Sequence, residues 1–323
     1  MNRSFVFSQG KLVSQDLTPD VLRLVLYDEA VQIWVDIEQP TEEETKTLLE
    51  GVFNFHPLAI EDCVAISERP KADDYEQYIF MVIHAVDYSA HVFCTTELNM
   101  FIGKNFLVTY HRDPLRSVNA TCDRVLKNPA AVARAPDRLT YTLLGLLLDN
   151  YQPALDQLSV DIGELEQRVL TAIAPDVLSQ VMQLKRETQH LKQIVSPQRD
   201  VLAQIGRGEF KIVRAHMLPY YRDLLDRLVR INELADRYRD SLTGVMQVYL
   251  ALQQNQLNHV IKILTILATL SLPILAITSY YGMNIKHFPP MDWAWPHAYL
   301  WVFGVTGILT LLIYWYLKRR RWM

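Results

Sequence analysis

Two apolar runs near the C-terminus constrain this chain more than any other feature. From Val260 to Tyr281 only Lys262 is charged, and from Ala298 to Leu317 no residue is. At a helical rise of about 1.5 Å per residue, each run reaches across the ~30 Å of a bilayer core. A short loop separates them, and it opens with Tyr281-Gly282-Met283-Asn284. Two spans cannot enclose a pore, so a transport path requires several copies of the chain.

Charge sets the orientation. Lys318, Arg319, Arg320 and Arg321 follow the second run, whereas the loop between the runs carries Lys286 alone. The positive-inside bias then makes the tail cytoplasmic. Two spans return the chain to its starting side, so the long N-terminal part is cytoplasmic as well. The opening MNRSFVFSQG lacks the apolar core of a cleaved signal, which agrees. The expected location is the cell (inner) membrane, with both termini inside.

The basic tail, with Lys262 and Lys286 less Asp292, gives the membrane part a net charge of +5. The whole chain carries -4, so the remainder carries about -9. An acidic surface of this kind disfavours nucleic acid and suits the attraction of cations. Cys63, Cys94 and Cys122 form no CxxC pair, and free thiols suit a reducing compartment. His84, His91 and Cys94 could be imagined as zinc ligands, but His91-x-x-Cys94 is a weak signal, and the plainer expectation is neighbouring strands. No phosphate-binding glycine loop, HExxH or GxSxG is present, and nothing near Glu61-Asp62 supplies a nucleophile. The chain therefore does not read as an enzyme, and no organic cofactor is expected.

Along the chain, residues 1–135 read as an α+β cytoplasmic domain. Gln32–Ile37 is a buried-type strand. Thr41-x-x-Glu44 is a capping box opening a helix to about Phe53. Tyr78–Tyr88, Phe93–Ile102 and Phe106–Tyr110 are rich in β-branched and aromatic residues, with a turn at Gly103-Lys104-Asn105. Asp113-Pro114 opens another helix. Residues 136–257 read as a helical stalk. Leu155, Leu158, Ile162, Leu165 and Val169 recur at three and four, Pro175 breaks that run, and a further helix extends to about Ile205. After Pro219 a heptad stripe runs through Leu224, Leu228, Ile231, Ala235, Tyr238, Leu242, Val245, Tyr249 and Leu252. Nothing stops this helix before the first span, so one helix of roughly 90 Å is expected from Pro219 to Tyr281. The stripe can pack on the preceding helices or on neighbouring subunits.

The remaining segments are a first, pore-lining span at 258–281, an external loop at 282–297, a second span at 298–317 and a basic tail at 318–323. Trp293, Trp295, Tyr299 and Trp301 flank one end of the second span, and Tyr314, Trp315, Tyr316 and Trp322 the other. Such aromatic belts mark membrane interfaces. On the first span Asn258, Ile261, Leu264, Ala268, Leu272, Leu275, Ser279 and Gly282 share one face. Apolar rings around an axis can gate by excluding water, while amide and carbonyl oxygens bind a cation at either end. Ordinary helix packing explains the same face. Pro273 removes the hydrogen bond to the Thr269 carbonyl, a kink or hydration point in a membrane.

Asn258-x-x-Ile261-Lys262-Ile263-Leu264-Thr265, Pro273 and Tyr281-Gly282-Met283-Asn284 together resemble the first span and signature of the CorA-type magnesium channels. Two further stretches match the family: His56-Pro57-Leu58-Ala59-Ile60-Glu61-Asp62-Cys63 with Arg69-Pro70-Lys71 and Tyr75, and Ser196-Pro197-Gln198-Arg199-Asp200. The resemblance spans nearly the whole chain. It implies a funnel-shaped homopentamer taking up Mg²⁺, with Co²⁺ and Ni²⁺ as further cargo. Gly282, Met283 and Asn284 would form the filter, holding a hydrated ion, which suits the reluctance of Mg²⁺ to shed water. Ile261, Leu264, Leu272 and Leu275 would line the gate, with Asn258 as a polar ring below. It also implies shut-off by intracellular Mg²⁺ bound between subunits at Asp62, with its neighbour Glu61, and Asp223.

The chain departs from the family pattern. The loop after Asn284 lacks the usual acidic residue. Lys286, partly offset by Asp292, would put positive charge at the mouth and slow cations entering it. Leu275 stands where a threonine is usual, and Gln247 and Gly145 replace acidic residues of some relatives, so a second regulatory site is expected to be missing. Two other readings share the architecture: a zinc transporter of the same superfamily, with or without proton coupling, and a membrane-anchored coiled-coil scaffold.

Overall fold

The structure is a computed structural model that describes residues 2–65, 69–171, 175–283 and 297–320. By internal packing it divides into two units, Met1–Met246 and Gln247–Met323.

The first unit opens with β1 (Asn2–Ser8), β2 (Lys11–Gln15), α1 (Pro19–Val25), β3 (Val31–Glu38), α2 (Glu42–Thr45) and α3 (Pro57–Val64). The strands β4 (Lys71–Asp74), β5 (Tyr78–Ser89), β6 (Val92–Gly103) and β7 (Phe106–His111) follow. Then come the helices α4 (Arg116–Lys127), α5 (Pro129–Val132), α6 (Pro136–Asp149), α7 (Tyr151–Thr171) and α8 (Pro175–Arg207). The described strands form one sheet in the order β2-β1-β3-β7-β6-β5-β4. β3 and β7 pair in parallel, from Ile33 opposite Phe106 to Glu38 opposite His111, and the other neighbours are antiparallel.

β5 is buried without interruption from Tyr78 to Val86, so both faces of the sheet are covered. On one face Phe80, Val82, Phe101 and Val108 pack with Leu22, Leu48, Leu49, Phe55 and Ile60 from α1 to α3. The other face meets α6, α7 and α8. The turn between β6 and β7 depends on Gly103, where a Cβ would lie 2.3 Å from Cε1 of Phe106.

The expected strands at 78–88, 93–102 and 106–110 are present, each slightly longer. The Thr41 capping box forms as read, but its helix is not uniform: α2 ends at Thr45 and Lys46–Val52 continues as a π-helix. The helix expected at Asp113-Pro114 begins at Arg116 instead, because Leu115 is the extended N-cap residue. Gly206 lies inside the last turn of α8, and Gly208, with φ +78°, ends it.

α9 (Leu218–Tyr281) is continuous from the first unit into the second, and α10 (His297–Arg319) follows in the second. In the first unit the heptad residues Leu224, Leu228, Ile231, Ala235, Leu242 and Val245 are buried within this single chain. Lys192 to Asp236 (2.5 Å) and Ser196 to Asn232 (3.0 Å) tie α8 to α9. This stripe therefore serves packing inside one chain. In the second unit the apolar part of α9 and α10 are each long and apolar enough to cross a membrane, and both are largely exposed.

Candidate ion path and regulatory carboxylates

At about 100° per residue the stripe from Asn258 to Gly282 occupies an arc of about 120°. α9 stays helical through Pro273, so the arc is unbroken. Ile261, Leu264, Leu272 and Leu275 are 59–65% exposed. Val260 and Leu267, off the stripe, are equally exposed. Exposure thus marks the whole segment as needing lipid or protein around it, and the polar ends distinguish the stripe. Hydroxyls in the segment bond backward: Thr265 to the Ile261 carbonyl (2.7 Å), Thr269 to Thr265 (2.7 Å) and Thr278 to Ile274 (2.7 Å). Such bonding satisfies the hydroxyls where water is absent.

At one end of the stripe, Gln254 Nε2 donates to Asn258 Oδ1 at 3.2 Å, which orients that amide. At the other, the Gly282 N–H donates to the Thr278 carbonyl at 2.9 Å. A Cβ on Gly282 would lie 2.9 Å from that same oxygen. A side chain at this position would press on the acceptor of that bond, and the backbone is not left-handed. Met283 is exposed. Asn284, Lys286 and Asp292 lie outside the described residues. At the far end of α10, Arg319 sits over Trp315 (5.2 Å) and Arg320 over Tyr316 (5.8 Å).

The acidic residues belong to the first unit. His56 caps α3 by accepting from the Leu58 N–H (3.2 Å), and Pro57 supplies its first turn. The His56 N–H donates to the Tyr78 hydroxyl (2.8 Å). At the other end of α3 the Arg112 guanidinium donates to the Val64 carbonyl. α3 is thus held at both ends, with Glu61 exposed and Asp62 half exposed on it. Asp62 pairs with Lys71 Nζ at 2.5 Å, and Lys71 also meets Asp73 at 3.3 Å. Burial alone would lower the Lys71 pKa, but the hydrogen bond to Asp62 and the charge of Asp73 outweigh it and raise it.

Asp223 is set by the way α9 begins. Arg214 grips the buried carboxylate of Asp137 through two nitrogens (2.6 and 2.8 Å). The Tyr221 hydroxyl donates to the Asp137 carbonyl (2.7 Å), and Arg222 Nε to the Gly206 carbonyl (2.9 Å). Asp223 then pairs with Arg227 Nε at 3.1 Å, and Arg227 Nη1 reaches Asp149, the last residue of α6, also at 3.1 Å. Among the described residues Asp62 and Asp223 share no partner.

Asp149 and Arg227 do not figure among the residues the sequence points to, and Lys71 does so only within the stretch Arg69-Pro70-Lys71. The spacing Asp223-x-x-x-Arg227 is an i,i+4 ion-pair signal that points to Arg227; Asp149 carries no local signal. His84, His91 and Cys94 are not brought together. His84 faces Glu97 and Cys94 faces Asp87 across the β5–β6 ladder, while His91 pairs with Asp161 at 2.6 Å. Asp36, Glu38 and His111 do place ligand atoms within 4.8 Å of one another. Arg3 already fills that space, with Nη2 2.7 Å from Asp36 and 3.2 Å from Glu38.

A sequence model of the family described as CorA-like Mg²⁺ transporter protein matches residues 29–319. The chain belongs to the CorA family. It is 28% identical over 305 residues to the cobalt/magnesium transport protein CorA of Thermotoga maritima, covering 92% of this chain and 85% of that one. Its fold is similar to the solved CorA magnesium transporter of Methanocaldococcus jannaschii, with a TM-score of 0.82, 21% identity, and coverage of 99% of this chain and 98% of that one. The full-length CmaX protein is similar as well, with a TM-score of 0.78, 18% identity, and coverage of 99% and 97%. The soluble α+β part, the long helix and the two C-terminal apolar helices are thus those of a CorA-family divalent cation transporter.

Proposed function

We propose that this chain forms a homopentameric channel for Mg²⁺ uptake, with Co²⁺ and Ni²⁺ as lesser cargo. The observation that carries this reading is the stripe on α9: a polar residue at Asn258, apolar rings at Ile261, Leu264, Leu272 and Leu275, and the Gly282-Met283-Asn284 signature at its end. Two membrane helices cannot enclose that stripe, so copies of the chain must. In this reading 1–135 and 136–257 are the cytoplasmic domain and stalk, 258–281 lines the pore, 282–297 is the external loop, 298–317 is the second span, and the 318–323 tail is cytoplasmic.

Filter selection follows from the ion's hydration. Mg²⁺ holds its water tightly, so amide oxygens from Asn284 and carbonyls of Gly282 select it best as a hydrated ion. The regulatory site would use Asp62 of one subunit and Asp223 of the next, with Glu61 beside it. These are hard oxygen donors, partly exposed, on elements fixed at their ends, and they fit a divalent ion. Carboxylates from two subunits repel unless a cation lies between them, so Mg²⁺ there favours the closed ring.

The test is flux into proteoliposomes loaded with a Mg²⁺-sensitive dye, comparing the native chain with Asn284→Ala. Mg²⁺ flux that is lost in the variant and indifferent to a pH gradient is the expected result. Zn²⁺ flux that follows the proton gradient, with little Mg²⁺ flux, would replace this reading with a zinc transporter. No ion flux at all would leave a membrane-anchored scaffold.

A further inference from the structure

Asp62 and Asp223 of the proposed regulatory site each already hold a basic side chain of their own chain. Asp62 holds Lys71 at 2.5 Å, and Asp223 holds Arg227 at 3.1 Å. Arg227 does more than neutralise one charge. It uses separate nitrogens on two carboxylates of different helices, Nε on Asp223 of α9 and Nη1 on Asp149 of α6. A guanidinium in this position lets the two acids approach without a metal ion.

We propose that Arg227, with Lys71, acts as a built-in stand-in cation that a divalent ion must displace, and that Arg227 thereby raises the internal Mg²⁺ level needed to shut the channel. This inference rests on the regulatory reading given above. The exposure of the groups suits the role. Arg227 is 37% exposed and Asp223 and Asp149 more so, so the pairs are solvated and weak enough to yield. A deeply buried pair would resist displacement. Lys71 is the lesser competitor because it also holds Asp73 and lies over the Phe80 ring at 5.6 Å, so it has reasons to stay beside Asp62 when an ion arrives.

The experiment measures the Mg²⁺ concentration that half-protects the cytoplasmic part of the full-length, nanodisc-embedded protein from proteinase K. Arg227→Gln is expected to lower that concentration by about two- to fivefold, the range that exposed ion pairs support. Arg230→Gln serves as the control: it removes the same charge one turn away, and Arg230 is exposed. An unchanged or higher half-protecting concentration in Arg227→Gln overturns the proposal. So does an equal shift in Arg230→Gln, which would mean bulk charge rather than displacement. Asp223→Ala separates the two levels of the argument. Loss of Mg²⁺ protection in Asp223→Ala with no shift in Arg227→Gln keeps the regulatory reading and removes the stand-in cation. Protection that survives Asp223→Ala removes both.

Discussion

His111 Nε2 lies 3.1 Å from Asp36 Oδ1 across the parallel β7–β3 pair, and both side chains are fully buried. Thr109 donates to the same oxygen at 2.7 Å, and Arg3 reaches the other carboxylate oxygen at 2.7 Å. Burial pushes the His111 pKa down, but the hydrogen bond and charge of Asp36 outweigh it and raise it overall. Burial likewise pushes Asp36 up, and the contacts with His111, Thr109 and Arg3 bring it below the usual value. A raised histidine stabilises fully below its unfolded pKa and loses that contribution as pH rises through its folded one. A depressed carboxylate stabilises above its unfolded pKa and loses its contribution as pH falls through its folded one. The pair is therefore at full strength between about pH 4 and 6.5 and weakens on the alkaline side. His111→Gln is expected to cost about 3–5 kcal/mol near pH 6, the range for breaking a buried pair, and to flatten the alkaline fall in thermal stability. Parallel pH profiles for the native chain and the variant would mean that His111 is neutral in the fold.

Gly103 and Phe106 make a second, local test. A Cβ at 103 would lie 2.3, 2.4 and 2.6 Å from three atoms of the Phe106 ring. The ring cannot swing away freely, because Phe53 (5.2 Å) and Phe55 (5.8 Å) pack against it. Gly103→Ala is expected to destabilise the first unit by about 1–3 kcal/mol through overpacking. Adding Phe106→Leu should recover part of that loss. Additive losses in a thermal-melt cycle would show that the clash is relieved elsewhere.

These two relationships show where sequence reading stops. The helices α7 and α9 were legible because Leu155 to Val169 and Leu224 to Val245 repeat at three and four, and burial of that face is what a helix must achieve. The turn at Gly103 was legible as a turn, but the need for glycine came from a ring three residues on. Nothing local links Asp36 to His111, or Asp137 to Arg214, because 75 and 77 residues separate the partners. β2 was not legible because its burial is only partial along the strand, leaving little contrast between its faces. The π-helical Lys46–Val52 carries a pattern that an α-helix fits as well. For the site, the stripe and signature were legible as spacing, whereas the contacts of Lys71 with Asp62 and of Arg227 with Asp149 are tertiary. Arg227 alone had a local signal, its i,i+4 step from Asp223.

Lys286 follows Asn284 by two residues, in the external loop of the proposed channel. In a pentamer five ammonium groups would stand near the mouth, and the on-rate of a dication falls in such a field. Lys286→Glu is expected to raise Mg²⁺ uptake at low external Mg²⁺, with the gain shrinking as ionic strength rises and screening shortens the field's reach. An unchanged or slower rate at low salt would place Lys286 away from the ion's approach.

Gly282 closes the stripe at the end of α9. Its N–H closes the last turn of α9 onto the Thr278 carbonyl at 2.9 Å, and a methyl group would lie at the same 2.9 Å from that oxygen. The Thr278 oxygen cannot retreat cheaply, because it belongs to a helical backbone whose neighbouring Thr278 hydroxyl is itself bonded to Ile274. Gly282→Ala must therefore turn the chain differently as it leaves the helix. Overpacking of this kind costs about 1–3 kcal/mol, which is roughly a five- to 150-fold fall in the population holding the native exit geometry. Mg²⁺ flux in proteoliposomes is expected to fall within that range, while thermal unfolding of the first unit is unchanged. Flux that persists in Gly282→Ala would mean that the backbone exit from α9 does not shape the proposed filter.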